Sequence, residues 1–135
     1  MAQLPEYVVD LLNTGHVVWV ATVGADGMPN IAIKGSGALL DNEHIFFADL
    51  FSKKTRANLL ANSAVAVALH DPDKHVAVQI KGHATLLDAG ELFSSVADKI
   101  AAKMPALPRV SYVVKIDVES VWDMTAGPHA GDQIA

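Results

Sequence analysis

Residues 16–41 read HVVWVATVGADGMPNIAIKGSGALLD, and this stretch decides the fold class. His16 to Val23 is a continuous apolar run rich in valine. Such a run has no polar face, so it predicts a strand buried on both sides. Asp26-Gly27 follows, a pair suited to a tight reversal. Asn30 to Leu40 then reads as a second strand, softened by Gly35 and Gly37. Asp41-Asn42 turns the chain again. Two strands joined by a short reversal, with no helix between them, predict antiparallel pairing.

The same pattern continues outward from this segment. On the N-terminal side, Leu4, Val8, Leu11 and Leu12 fall at i, i+4, i+7 and i+8, one face of a short amphipathic helix. Pro5 suits its first position and Gly15 its stop. On the C-terminal side, His44 to Ala48 is a third strand and Ser52 to Asn62 a short helix. Ala64 to His70 is a strand closed by Asp71-Pro72-Asp73. Val76, Val78 and Ile80 alternate with Ala77, Gln79 and Lys81, and Gly82 within that run predicts a bulge or a barrel bend. Leu92, Val96 and Ile100, with Phe93 and Met104, mark another amphipathic helix, ended by Pro105 and Pro108. Val110, Tyr112, Val114, Ile116 and Val118 form a long alternating strand, and Thr125 to Ala135 reads as an irregular tail. The expectation is one domain over residues 1–135, mainly β with two or three peripheral helices. Six antiparallel strands in meander order are better closed than left with open edges, which favours a small barrel. These patterns alone do not separate a barrel from a sandwich.

Composition narrows the function. The 135 residues carry a net charge of −5, with 51% hydrophobic and 19% charged residues. That balance is opposite to that of disordered chains. It also exceeds what so short a chain easily hides, so a buried subunit interface is expected. Nucleic acid is not an expected partner, because phosphate backbones call for a cationic face. The absence of cysteine excludes thiol chemistry, disulfides and iron–sulfur clusters. No basic-then-apolar leader and no apolar run of membrane-spanning length are present, so a cytoplasmic protein with no membrane partner is expected.

The segment Ser52-Lys53-Lys54-Thr55-Arg56 stands where a strand gives way to a helix. A helix N-terminus carries partial positive charge, and three cations there break a local rule. An anion on the free N–H groups reverses the problem. Ser52 and Thr55 add hydroxyl donors of the kind a phosphate needs. The plain alternative is a solvated turn with Ser52 as N-cap. Lys34, mid-strand and followed by Gly35, has the same two readings: a ligand contact beside a glycine that lets it approach, or a lysine on the wet side. Gln79 is a polar residue in a patterned strand. Gly35-Ser36-Gly37 is neither a dinucleotide fingerprint, since Leu40 holds the third glycine's place, nor a nucleophile elbow. The six histidines show no metal-ligand spacing, and no metal is expected. Trp19 reads as core. Trp122 is open to core, interface or ligand-covering roles. No acid–base pair is legible, so no catalytic residue is named and the chemistry is expected to rest on a cofactor.

The order of these features resembles the pyridoxamine 5'-phosphate oxidase-like FMN-binding split-barrel proteins, especially the short single-domain ones. The resemblance runs through Val20-Ala21-Thr22, Asp26-Gly27-Met28-Pro29-Asn30, the strand into Asp41, and Lys53-Lys54-Thr55 with Asn58-Leu59 and Asn62. It ends with Gln79-Ile80-Lys81-Gly82-His83-Ala84. It implies a six-stranded split barrel with FMN at a homodimer interface. It implies that Lys54 and Thr55, with Lys34, hold the FMN phosphate, and that Ala48, Asp49 and Leu50 run along the ring and ribityl chain. Gln79 faces the cofactor, and Trp122 with the tail covers the partner's flavin. The implied cofactor set is Ile33, Lys34, Gly35, Ala48, Asp49, Leu50, Lys53, Lys54, Thr55, Gln79 and Trp122. The longer terminal segments of the true oxidases are not visible, so pyridoxamine phosphate oxidation is not expected. Lys34 also departs from the small polar residue of some relatives. The reading is an FMN-dependent oxidoreductase exchanging electrons with NAD(P)H or a redox partner. The rivals are an FMN electron carrier, a barrel binding deazaflavin or haem, and an oligonucleotide-binding barrel, the last disfavoured by 6% aromatic content and acidic charge.

Overall fold

The computed structural model describes residues 1–35 and 37–135; the part of the second predicted strand and of the Gly-Ser-Gly reading that falls on Ser36 lies outside them. The elements are α1 (Glu6–Leu12), β1 (Val18–Val23), β2 (Pro29–Lys34), β3 (Ala38–Asp41), β4 (His44–Asp49), α2 (Lys54–Ala61), β5 (Ala64–Asp71), β6 (Val76–Leu87), α3 (Glu91–Lys103) and β7 (Tyr112–Asp123). The strands form one antiparallel sheet in the order β2-β1-β5-β6-β7-β4-β3. No helix is long and apolar enough to cross a membrane.

Two expectations are corrected here. There are seven strands, not six, because Asn30–Leu40 is two strands. Its first half pairs with β1 and its second with β4, so the chain leaves one ladder and joins another. Gly35 and Gly37 flank that change of partner, where an uninterrupted strand would be tied to a single neighbour. The order is also not a meander. β5 returns to pair with β1, and β7 returns to pair with β4. α2 carries the chain between those ladders.

One core fills the curl of the sheet. It contains Val18 and Val20, Ile45 and Phe47, Val65 and Val67, Val78 and Ile80, and Ile116 and Val118, closed at one end by Leu4, Val8, Leu11 and Leu12 of the N-terminal segment. The predicted helical face is therefore the buried one. β2 and β3 end the sheet order and are joined by residues 35–37 alone. Among the described residues no ladder joins them, so this is the seam at which the barrel is split. A second cluster lies outside the barrel, where Phe93, Val96 and Ala97 of α3 pack on Val110 and Val113, against Ala48 and Leu50 at the end of β4. The tail returns along the end of β7: Ile134 N donates to Val121 O, and Val121 N to Ala135 O.

Ile80 has no exposed surface and sits mid-core. Its replacement by alanine is expected to cost about 2–5 kcal/mol, because the surrounding strands relax only in part around the lost volume. Urea unfolding of both proteins measures it; a loss well under 1 kcal/mol would show that the site collapses freely.

Candidate functional site

A groove of about 460 Å³ opens at the seam, between β2 on one side and the end of β4 with the start of α2 on the other. Its lining includes Asn30, Ile31, Ala32, Ile33, Lys34 and Gly35 from the first wall, and Ala48, Leu50, Phe51, Ser52, Lys53, Lys54 and Thr55 from the second.

β2 shows why this wall is unusual. Its exposed positions are Pro29, Ile31 and Ile33, while Asn30, Ala32 and Lys34 are half-buried. Ile31 and Ile33 are 70% and 64% exposed, and Phe51 across the groove is 70% exposed. An outward apolar face with polar residues turned inward is the reverse of a solvated edge strand, and marks a surface that binds something.

The floor of the groove is polar and cationic. α2 begins at Lys53, with no side chain capping its N-terminal N–H groups and no acid in its first turn. Ser52 is therefore not the cap. Thr55 is buried and receives a long hydrogen bond of 3.5 Å from Asn30 Nδ2. Asn58, also buried, donates to Thr22 Oγ1 at 3.0 Å and ties α2 to β1. The first turn of α2 is thus held in place by its inward residues while its cations remain outside.

The cations are not equivalent. Asp49 is almost fully buried, and its carboxylate accepts from Ser52 N at 2.9 Å and Arg56 Nε at 3.2 Å. Arg56 also lies over the Tyr112 ring, 4.8 Å from its centre. That arginine is held by internal partners and does not line the groove. Lys54 meets only Asp26, at 3.7 Å, and both side chains are more than half exposed. Such a pair contributes little and is readily exchanged for another anion. Lys34 sits over the Phe47 ring, 5.5 Å from its centre. Burial holds its ammonium below the usual lysine range; Asp49 opposes that effect and Arg56 adds to it. A partly desolvated lysine beside an uncapped helix N-terminus favours an anion strongly.

Of the residues expected from the sequence, Ile33, Lys34, Gly35, Ala48, Leu50, Lys53, Lys54 and Thr55 all line this one groove. Asp49 lies beneath it and orients the turn 49–52 through its side chain. Gln79 and Trp122 are elsewhere, opposite one another on β6 and β7. Gln79 Nε2 faces the Met124 sulfur at 3.6 Å, and Trp122 Nε1 donates to Ser120 Oγ at 2.8 Å with the Lys81 ammonium over its ring. Asn30, Ile31 and Phe51 were missed by the sequence reading. Ile31 carried a signal, since the i, i+2 pair Ile31 and Ile33 has its apolar side opposite to Lys34.

The sequence profile of the pyridoxamine 5'-phosphate oxidase family matches residues 4–125. The chain belongs to that family. Within it, the uncharacterized protein MJ0282 of Methanocaldococcus jannaschii is 32% identical over 139 aligned positions, covering 100% of this chain and 90% of the relative. A Lactobacillus delbrueckii protein described as a candidate pyridoxamine 5'-phosphate oxidase has a similar structure (TM-score 0.72, 30% identity, 89% of this chain and 93% of that one). HupZ of Group A Streptococcus superposes with a TM-score of 0.82 at 25% identity, over 95% and 99% of the two chains. The split-barrel fold is shared with more distant proteins, among them an FMN-binding protein of Syntrophomonas wolfei (TM-score 0.74, 18% identity, 89% and 85%) and an F420 reductase (TM-score 0.67, 22% identity, 87% and 98%). Family membership thus accords with the antiparallel split barrel and with the seam as its principal groove.

Proposed function

We propose that the protein is a cytoplasmic FMN-dependent oxidoreductase of this family, with the cofactor seated in the seam groove. The observation that carries the reading is the pairing, in one groove, of an uncapped helix N-terminus and three lysines with an exposed apolar wall. The first matches a phosphate and the second a planar ring. Lys34, Lys53, Lys54 and the hydroxyl of Thr55 hold the phosphate. Ala48, Leu50 and Ile33 run along the organic part. Bound there, FMN supplies the electron and hydride transfer that no side chain of this protein provides. The chain's own part is to bind, orient and shield it.

Gln79 and Trp122 reach the cofactor from a second copy of the chain, so the working unit is a homodimer. The exposed Ile31 and Ile33 support this, because a partner lying over β2 removes their apolar surface from water. Light scattering is expected to return twice the mass of one chain. The donor or acceptor is NAD(P)H or a redox protein.

The decisive experiment is an absorbance spectrum of the purified protein, with mass spectrometry of any molecule released on denaturation, followed by titration with FMN. Flavin bands and the FMN mass support the reading. A protein that is colourless and ignores added FMN overturns it. Release of a deazaflavin or haem would replace the cofactor and keep the fold.

A pH dependence follows from Lys34. In the free protein its charged form is disfavoured by burial. A bound phosphate favours that charged form, so binding is linked to proton uptake. FMN affinity is therefore expected to weaken as pH rises through the lowered Lys34 titration, and to do so at lower pH than an ordinary lysine would allow. Lys34→Arg, which stays charged, is expected to flatten the curve. Fluorescence titrations from neutral to alkaline pH measure it; identical slopes for the two proteins would remove Lys34 from the phosphate site.

A further inference from the structure

A second polar constellation stands apart from the seam. His83 Nδ1 lies 2.9 Å from Ser63 Oγ, and His83 Nε2 lies 2.9 Å from Glu119 Oε1. An ionised carboxylate only accepts, so Nε2 carries the ring proton and Nδ1 presents its lone pair to the serine hydroxyl. Ser63 Oγ–H then donates to His83. The arrangement is a nucleophile, a base and a carboxylate that orients the base.

The fold builds this arrangement by a specific device. Lys81 pairs with Ser120 and Gly82 with Val118, so Glu119 is the extra residue of a β-bulge, turned toward His83. A Cβ on Gly82 would lie 2.0 Å from the Asp117 carbonyl oxygen, so only glycine lets β7 approach closely enough to form the bulge. Bulges re-aim side chains in this way. Ser63 is held at the other end, because its carbonyl accepts from Ala84 N at 2.8 Å, and Ala64 pairs with His83. Beside the three residues lies an open groove of about 430 Å³ lined by small apolar residues including Ala21, Val23, Ala64 and Ala66. His83, Glu119 and Lys81 form its polar wall.

We propose that Ser63, His83 and Glu119 form a second, hydrolytic site that cleaves carboxylic esters with a small apolar acyl group. Ser63 Oγ bonds to the acyl carbon as its proton passes to His83 Nδ1. The bond from that carbon to the alcohol oxygen breaks, and the leaving alcohol takes the proton from His83. Water then attacks the acyl-serine by the same route, releasing the carboxylic acid and restoring Ser63. Ser63 and His83 are the catalytic residues. Glu119 is a positioning residue that fixes the ring and its tautomer. Lys81 supplies positive charge on the groove wall for the oxyanion. The site shares no lining residue with the seam groove and does not depend on the flavin reading.

The test is hydrolysis of p-nitrophenyl acetate by the full chain, with mass spectrometry after acid quench. Turnover above buffer, an acetyl group on Ser63, and a loss of at least about tenfold in Ser63→Ala are expected. Glu119→Gln is expected to slow acylation, and Glu119→Asp to recover part of the loss, which a merely structural role would not predict. Ser63→Ala should keep its circular dichroism and any FMN binding. Independently of variants, a fluorophosphonate is expected to label Ser63 in the unsubstituted protein. No turnover above buffer, an undiminished rate in Ser63→Ala, or acetyl and phosphonate found only on other residues would overturn the proposal.

Discussion

Replacing Lys34 and Lys54 together by alanine is expected to weaken FMN binding by two to four powers of ten, about 3–6 kcal/mol for two charge-assisted contacts. The lower part of that range is the better expectation, since water reaches Lys54, which is 54% exposed. The fold should not suffer. Lys34 is charged at a place where burial disfavours charge, so its removal relieves a desolvation cost. Lys54 leaves only the exposed Asp26 without a partner. Arg56→Ala is the informative contrast. It strips the buried Asp49 of its ion pair and is expected to lower stability more than affinity, because that arginine faces Asp49 and Tyr112 rather than the groove. Flavin fluorescence quenching gives the affinities and circular dichroism the fold. A double variant that retains the parent affinity would show that the phosphate is held elsewhere.

Gly82→Ala is expected to be the most damaging single-methyl change, at about 3 kcal/mol and roughly 10 °C in Tm. The added carbon would meet a backbone carbonyl, not the end of a flexible side chain, so relief requires β6 and β7 to part. Those strands are joined by ten registered residue pairs through the middle of the sheet, and separating them exposes Ile80 and Ile116. Thermal melts of the two proteins measure the effect. A Tm within a degree or two of the parent would mean that the bulge re-forms one residue away. The same variant is expected to lose esterase turnover even at temperatures where it stays folded, since the bulge turns Glu119 toward His83.

The phosphate turn was legible because its signal is local and contrary to rule: three cations at a helix start demand an anion. Its detail was not. Nothing in Ser52 to Arg56 distinguishes the arginine turned inward to Asp49 from the lysines left outside, because that choice depends on Tyr112 and on which carboxylate is buried. Gly82 was legible as a bend for the same local reason, whereas its partner Glu119 was not. The extra residue of a bulge is assigned by the register of two strands, and register is a pairing property.

What the sequence determined by itself is the kind of each segment: strands where valine runs or alternation set a period of two, helices where leucines recur at 3.6, turns at Asp-Gly and proline. Local conformation follows from local sterics and from which side must be apolar, so it is written in neighbouring residues. Only the tertiary structure decided that Asn30–Leu40 divides between two partners, that β5 returns to β1 and β7 to β4, and that Ser63, His83 and Glu119 meet. Those outcomes depend on the shared burial of distant segments, whose free energy belongs to the pair and is carried by neither segment alone.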